Sequence, residues 1–319
     1  FNITQNAPSN GFTVGTTPVV WTATDSSGNH ATATQFVTIA DTTPPTLIAP
    51  RDISVEANAL LTTPVILGSA SALDLVDGAT IVTHNAPNAF ALGTTHVTYT
   101  TRDARQNLAQ AIQRVTVIDT TAPALLAPAD LLVEATGVQT PINIGNATAT
   151  DIFAVKIANN APGSFALGTT VVTWLATDVN ANVSKAQQKV TVVDTTAPRY
   201  TFELVRSRID QHHHKMVHVA NIANISDLVD AKPNVAIDVT YTPAERHMKH
   251  TRDNADWEVK KVGNTWQVWV RAKGEQQHRK ERIYSINLTV SDSTGNSATE
   301  SKHVTVKHDR GHENEHEKR

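Results

Sequence analysis

The chain has 319 residues, enough for two to four domains of ordinary size, and its net charge of −3 leaves no basic field to hold a nucleic acid or an anionic membrane. It contains no cysteine, which removes disulfides and thiolate metal sites, and no apolar run reaches the ~20 residues of a membrane span. Aromatics make up only 5% while Thr, Ala, Val, Asn and Asp predominate, a composition suited to short strands joined by turns.

Phe1 is not an initiator Met, so the chain is expected to be a mature or excised fragment. Residues 1–40 carry Asn6-Ala7-Pro8, Gly15-Thr16-Thr17 and the alternating run Val19–Thr24. A turn, Asp25-Ser26-Ser27-Gly28-Asn29, and a second alternating run, Gln35–Ile39, follow. Period-two alternation predicts half-buried strands.

The same signals return in residues 41–118, preceded by more sequence. A linker, Asp41-Thr42-Thr43-Pro44-Pro45, leads to an extended segment, Ile53-Ser54-Val55-Glu56-Ala57, and a predicted strand through Val65-Ile66-Leu67. Asn85-Ala86-Pro87, Gly93-Thr94-Thr95, the run His96–Thr101 and the turn Asp103-Ala104-Arg105-Gln106-Asn107 then follow. Residues 119–193 repeat the series with Asp119-Thr120-Thr121-Ala122-Pro123, Leu131–Ala135, Ile142-Asn143-Ile144, Asn160-Ala161-Pro162, Gly168-Thr169-Thr170 and Asp178-Val179-Asn180-Ala181-Asn182. Gly is lost from both later turns, and Asn or Asp is expected to supply φ > 0 there. No segment has helical apolar spacing with caps, so each unit reads as a small antiparallel sandwich.

Taken as an ordered set, Asp-Thr-Thr-x-Pro, Val-Glu-Ala, Asn-Ala-Pro, Phe-x-Leu-Gly-Thr-Thr and Asp-x-x-Gly-Asn resemble the hyalin repeat (HYR) family across residues 1–198. The resemblance implies tandem immunoglobulin-like β-sandwich domains displayed outside the cell and serving adhesion. Against that unit, residues 1–40 supply only the C-terminal half of a repeat. Three explanations compete: the missing strands lie upstream, the piece is disordered, or strands from another molecule complete it, which would make the chain a filament subunit.

Residues 194–307 open with Asp194-Thr195-Thr196-Ala197-Pro198 and form a longer, divergent unit. Ile225-Ser226-Asp227-Leu228-Val229-Asp230 echoes Ala72-Leu73-Asp74-Leu75-Val76-Asp77, and the unit closes near Asp292-Ser293-Thr294-Gly295-Asn296. It reads as the same sandwich with an insertion near 244–282, where two alternating runs about Gly263-Asn264 predict an extra hairpin. Trp257, Trp266 and Trp269 are candidates for an aromatic platform contacting a glycan or partner; the alternative packs them on their own domain. Eleven of the 14 His, among them His212–His214, His218, His247 and His250, follow residue 211, where a solvated polar surface competes with a Zn or Ni site. Residues 308–319 are expected to be a charged, disordered tail.

On an immunoglobulin-like topology, the loop after the second strand and the turn joining the last two strands lie at the end where the chain enters. That placement gathers Asp41 with Asp74, Asp77 and Asp103; Asp119 with Asp151 and Asp178; and Asp194 with Asp227, Asp230 and Asp292. Either each Asp caps its own turn, or the carboxylates share a Ca²⁺ that offsets their repulsion. No nucleophile elbow, phosphate loop or zinc-protease motif occurs, and the carboxylates recur in every unit rather than once in a cleft, so no catalytic residue is expected. Sequons at Asn2, Asn146, Asn182, Asn224 and Asn287 are compatible with surface glycosylation. The combined expectation is a non-enzymatic extracellular array that contacts surface or matrix proteins, glycans or copies of itself.

Overall fold

The computed structural model describes residues 1–211, 215–242, 256–273 and 281–307. The expected tail 308–319, His212–His214, His247, His250 and much of the insertion lie outside the described residues. Every element among the described residues is a strand, as the alternation predicts.

Residues 1–40 form one antiparallel sheet from β1 (Asn2–Gln5), β2 (Gly15–Thr24) and β3 (His30–Ile39), in the order β1-β2-β3. Next come β4 (Thr46–Ile48), β5 (Ile53–Glu56), β6 (Ser71–Asp74), β7 (Gly78–Ala79), β8 (Val82–His84), β9 (Gly93–Arg102) and β10 (Leu108–Ile118). They make two sheets, β4-β6-β7 and β5-β10-β9-β8. The third repeat supplies β11 (Ala124–Leu126), β12 (Leu131–Glu134), β13 (Thr148–Thr150), β14 (Val155–Asn159), β15 (Gly168–Asp178) and β16 (Val183–Val193). Its sheets are β11-β13 and β12-β16-β15-β14.

The last stretch contains β17 (Arg199–Leu204), β18 (Arg208–Asp210), β19 (Met216–Ser226), β20 (Asn234–Thr242), β21 (Trp257–Val262), β22 (Thr265–Arg271), β23 (Arg282–Ser291) and β24 (Ser297–Lys307). These form β17-β19-β22-β21 and β18-β24-β23-β20. The hairpin expected at Gly263-Asn264 is β21–β22, which extends the first of these sheets; Val262 pairs with Thr265 across the turn and Gly263 takes φ +59°. Two-residue loops that match strand twist require positive φ, which glycine adopts freely.

The antiparallel sandwiches expected from the sequence each carry one parallel pairing: β5 with β10, β12 with β16 and β18 with β24. In each case the entering chain crosses from one sheet to the other. Residues 65–67 and 142–144, where strands are expected, are not strands; only the isolated bridges Thr63–Phe90 and Thr140–Phe165 pair these segments. Pro64 and Pro141 lack the N–H that would continue a ladder at the next position, and side chains take over the hydrogen bonding. Gln113 Nε2 donates to Leu67 O at 3.0 Å and to Arg51 O at 2.6 Å, while its Oε1 accepts from Tyr99 Oη at 2.8 Å. Gln188 repeats this with Ile144 O, Ala129 O and Trp174 Nε1 at 3.0, 2.8 and 3.2 Å.

Alternation along the long strands builds the cores. Val97 and Tyr99 of β9 face Val115 and Val117 of β10, all buried, together with Ala57 and Phe90. Val172, Trp174, Val190 and Val192 occupy the matching places around Ala135 and Phe165. A third cluster, around Ile222, Val268, Tyr284, Ile286, Leu288 and Val304, fills the last sandwich.

By compactness the chain divides into two units. The first is Phe1–Ala124 with Thr150–Lys156 and Thr177–Ser184; the second is the remainder. Within the first unit, Phe153 of the third repeat packs into the core built on Phe90, Val97 and Tyr99. Within the second, Val229 packs against the cluster built on Phe165 and Trp174. The sheet β1-β2-β3 keeps the indole bond of its counterparts, Trp21 Nε1 to Gln35 Oε1 at 3.1 Å. Its inner face is only partly covered: Val19 is buried, while Trp21 is 41% and Ile39 39% exposed.

Candidate metal centres

Each turn between the last two strands of a repeat is organised by its first residue. Asp103 Oδ1 accepts the N–H groups of Arg105 and Asn107, both at 2.8 Å, and Oδ2 accepts Asn107 Nδ2 at 2.6 Å. Asp25 with Asn29, Asp178 with Asn182 and Asp292 with Asn296 repeat the pattern. Burial pushes the Asp103, Asp178 and Asp292 carboxyls up, but these bonds outweigh it and hold all three below the ordinary carboxylate value. The turn-capping alternative therefore describes these residues well.

The expected source of positive φ is corrected here. It is not Asn or Asp but Gln106 (φ 70°) and Ala181 (φ 69°), standing where Gly28 and Gly295 stand in the other turns. The bonds converging on Asp103 and Asp178 impose the backbone shape on residues that would not choose it.

The turn's Asn also reaches the linker. Asn107 Nδ2 donates to Asp41 O at 3.2 Å, Asn182 Nδ2 to Asp119 O at 3.2 Å and Asn296 Nδ2 to Asp194 O at 3.0 Å. Linker carboxylate and turn carboxylate are thereby brought side by side. Three groups result, each with ligand oxygens within 4.8 Å of one another: Asp41, Asp74, Asp77 and Asp103; Asp119, Asp151 and Asp178; and Asp194, Asp227 and Asp292. The first two lie in the first unit and the third in the second.

One expected member is corrected. Asp230 is not gathered with the third group, because its Oδ1 accepts Lys232 N–H at 2.8 Å and its Oδ2 accepts Ser293 N–H at 2.9 Å. Its counterpart Asp77 pins the opposite turn in the same way, through Ala104 N–H at 2.8 Å, yet stays within the first group.

Hydrogen bonds do not satisfy every oxygen. Asp74 is 3% exposed; its Oδ1 accepts Val76 and Asp77 N–H, but no donor among the described residues reaches its buried Oδ2. Asp41 Oδ2 and Asp194 Oδ2 are likewise buried without a partner. A buried, unpaired carboxylate oxygen costs stability, and like charges within contact distance add to the cost. A hard divalent cation with oxygen ligands removes both penalties, and the donor set of carboxylates and loop carbonyls suits Ca²⁺.

The Val-Glu-Ala motif has a role that sequence reasoning missed. Glu56 accepts Thr120 N–H at 2.7 Å, Thr120 Oγ1–H at 3.0 Å and Thr121 Oγ1–H at 2.9 Å. Glu134 holds Thr195 and Thr196 in the same way. The strand that enters a repeat thus grips the linker that leaves it. The Thr120 N–H bond is the main cause of the lowered Glu56 carboxyl, and the Thr195 N–H bond does the same for Glu134. A depressed folded value means that the stabilisation is complete above the ordinary value of 4.5 and is lost as pH falls through the lowered one. NMR titration of the two side-chain carboxyls is expected to give midpoints below 4.5, with the Thr120 and Thr195 amides shifting in parallel. Midpoints at or above that value would sink the linker grip.

The three tryptophans do not form one platform, which corrects that expectation. Trp257 and Trp266 are half-buried against the core of the last sandwich. Trp269 occupies the other face of the sheet, as alternation from core residues Val268 and Val270 requires, and stacks on His218 at 5.0 Å with Lys260 5.6 Å from its ring.

The fold and its repeated turn sites define a tandem immunoglobulin-like β-sandwich protein. Residues 40–117 match the HYR domain family model. Hyalin of Strongylocentrotus purpuratus is 31% identical over 213 residues, 61% of this chain and 18% of that protein. Hyalin of Lytechinus variegatus is 32% identical over 209 residues, 60% of this chain and 39% of that protein. Residues 40–117 of this chain thus match an HYR domain, and the chain's similarity spans well under half the length of these curated relatives. Among solved structures, the protocadherin GammaB4 extracellular domain aligns over 92% of this chain and 53% of its own, with 15% identity and a TM-score of 0.38. Mouse cadherin-23 EC22-24 aligns over 83% and 98%, with 12% identity and a TM-score of 0.30. No helix among the described residues is long and apolar enough to cross a membrane.

Proposed function

We propose that the chain is a non-enzymatic adhesive or structural array whose repeat junctions are fastened by Ca²⁺. Its domains would be the half repeat 1–40, repeats 41–118 and 119–193, and the divergent sandwich 194–307. One observation supports this reading: three carboxylate groups have oxygens within 4.8 Å of one another, and among the described residues no donor reaches the buried oxygens of Asp41, Asp74 and Asp194. A cation held there fastens the linker that enters a repeat to that repeat's own loop and turn. Surface and matrix proteins, glycans and copies of the chain are the proposed partners.

Calcium binding to the folded chain alone raises stability by RT ln(1 + [Ca²⁺]/Kd). With Kd of about 10⁻⁴ to 10⁻³ M, as in extracellular modules, ~10 mM calcium adds about 1.4 to 2.7 kcal/mol per occupied site. Thermal melts are expected to shift upward by several degrees in calcium relative to chelator, with a matching heat of binding in calorimetry. Identical melts and no heat would remove the calcium reading.

A further inference from the structure

The three carboxylate groups are not equivalent, and the differences are chemical. The first has four carboxylates and two buried oxygens without donors, Asp41 Oδ2 and Asp74 Oδ2. The third has three carboxylates and one such oxygen, Asp194 Oδ2. The second has three carboxylates, and the oxygen corresponding to the unpaired ones is occupied: Asn180 Nδ2 donates to Asp119 Oδ2 at 2.6 Å. Asn180 stands third in its turn, where the other junctional turns have Arg105 and Thr294. Thr294 spends its hydroxyl on Asp292 Oδ1 at 2.8 Å, within its own turn. Among the described residues, a side-chain amide reaches the linker carboxylate only at the second group.

Apolar packing at the same places runs the other way. The residue two positions beyond the loop Asp is Val76 at the first junction, 50% exposed. At the third it is Val229, partly buried against the preceding core. At the second it is Phe153, 8% exposed within the core of the preceding repeat. The position after it is acidic at the first and third junctions, Asp77 and Asp230, but Ala154 at the second. The second junction therefore has an amide where the others have Arg105 and Thr294, alanine where they have a carboxylate, and a phenyl ring where they have valine.

We propose that calcium occupies the first and third junctions, whereas the second is fastened without it, Asn180 standing in for the cation and Phe153 supplying the cohesion. This rests on the calcium reading above and sharpens it to a distribution: an array with calcium-dependent joints on either side of a calcium-independent one. The free oxygen of Asp194 ranks the third group above the second, and ligand charge count, which tunes calcium affinity, ranks the first above both.

The test counts and places ions on the full chain. Native mass spectrometry and calorimetry with CaCl₂ are expected to give two ions per chain, the second junction binding at least about tenfold more weakly. Asp74→Asn and Asp227→Asn should each remove one ion, and Asp151→Asn none. Asn180→Asp removes the amide donor, releases Asp119 Oδ2 and adds a carboxylate, and should create a third site. The count on the unaltered chain needs no variant to fold, and circular dichroism in chelator verifies that each variant does. Three sites of similar affinity, or loss of an ion in Asp151→Asn, would overturn the distribution while leaving calcium binding intact. No ion bound at any site would overturn the calcium reading itself and the distribution with it.

Discussion

Phe153→Ala is expected to cost about 3–5 kcal/mol, the range for truncating a buried phenyl ring, and to take that stability from the repeat before the one that encodes it. The ring packs with Ala57, Phe90, Val97, Tyr99, Val115 and Val117, none of which belongs to the third repeat. Its removal leaves a cavity at the end of that core, and the surrounding strands are held in register by long ladders that cannot collapse to fill it. Urea denaturation followed by hydrogen exchange should locate the loss in β9 and β10, with the core around Phe165 and Trp174 losing less. Equal loss in both repeats, or a change below about 1 kcal/mol, would mean that the ring does not plug the preceding sandwich.

Gln188→Leu is expected to cost about 3 kcal/mol or more, although the new side chain has similar volume and is apolar. Gln188 is fully buried and joins three groups: the carbonyls of Ala129 and Ile144 and the indole N–H of Trp174. Leucine would leave all three buried without partners, at about 1–3 kcal/mol each, partly offset by its own burial. Trp174 fluorescence reports the unfolding of that core. Gln35→Leu is the matched control: Gln35 makes the same bond to its tryptophan but is exposed, so its substitution should fall within about 0.5 kcal/mol. If the two variants behaved alike, burial of the amide would not be the cause.

The repeat was legible because its signals are local. Alternation fixed the long strands, Gly263-Asn264 marked the extra hairpin, and the spacing of the aspartates on an immunoglobulin-like topology placed 10 of 11 carboxylates where they converge. What stayed hidden depends on partners distant in sequence. Gln113 and Gln188 sit on alternating strands as any polar residue would, and only the fold brings Arg51 and Ala129 carbonyls to their amides. Residues 65–67 look like a strand by composition, yet side-chain amides take their hydrogen bonds. Glu56 and Glu134 both stand in a Val-Glu-Ala segment ahead of an Asp-Thr-Thr linker, but nothing local says that a carboxylate grips that linker. Asp230 matches Asp77 in sequence and departs only because Lys232 and Ser293 occupy both its oxygens.

The unit that repeats in sequence is out of phase with the unit that coheres in space. Residues 150–156 and 177–184, encoded within the third repeat, group with the preceding residues, and Phe153 and Val229, which pack against the cores of the second and third repeats, each arrive one repeat late. Such a chain behaves as a nearest-neighbour system, in which a module's stability includes a coupling term from its successor. An excised 41–118 segment would lack Phe153 and begin with a vacancy at one end of its core. A lesion at one linker would be felt on both sides of it, so tension or damage would spread along the array by neighbours rather than stop at a repeat boundary.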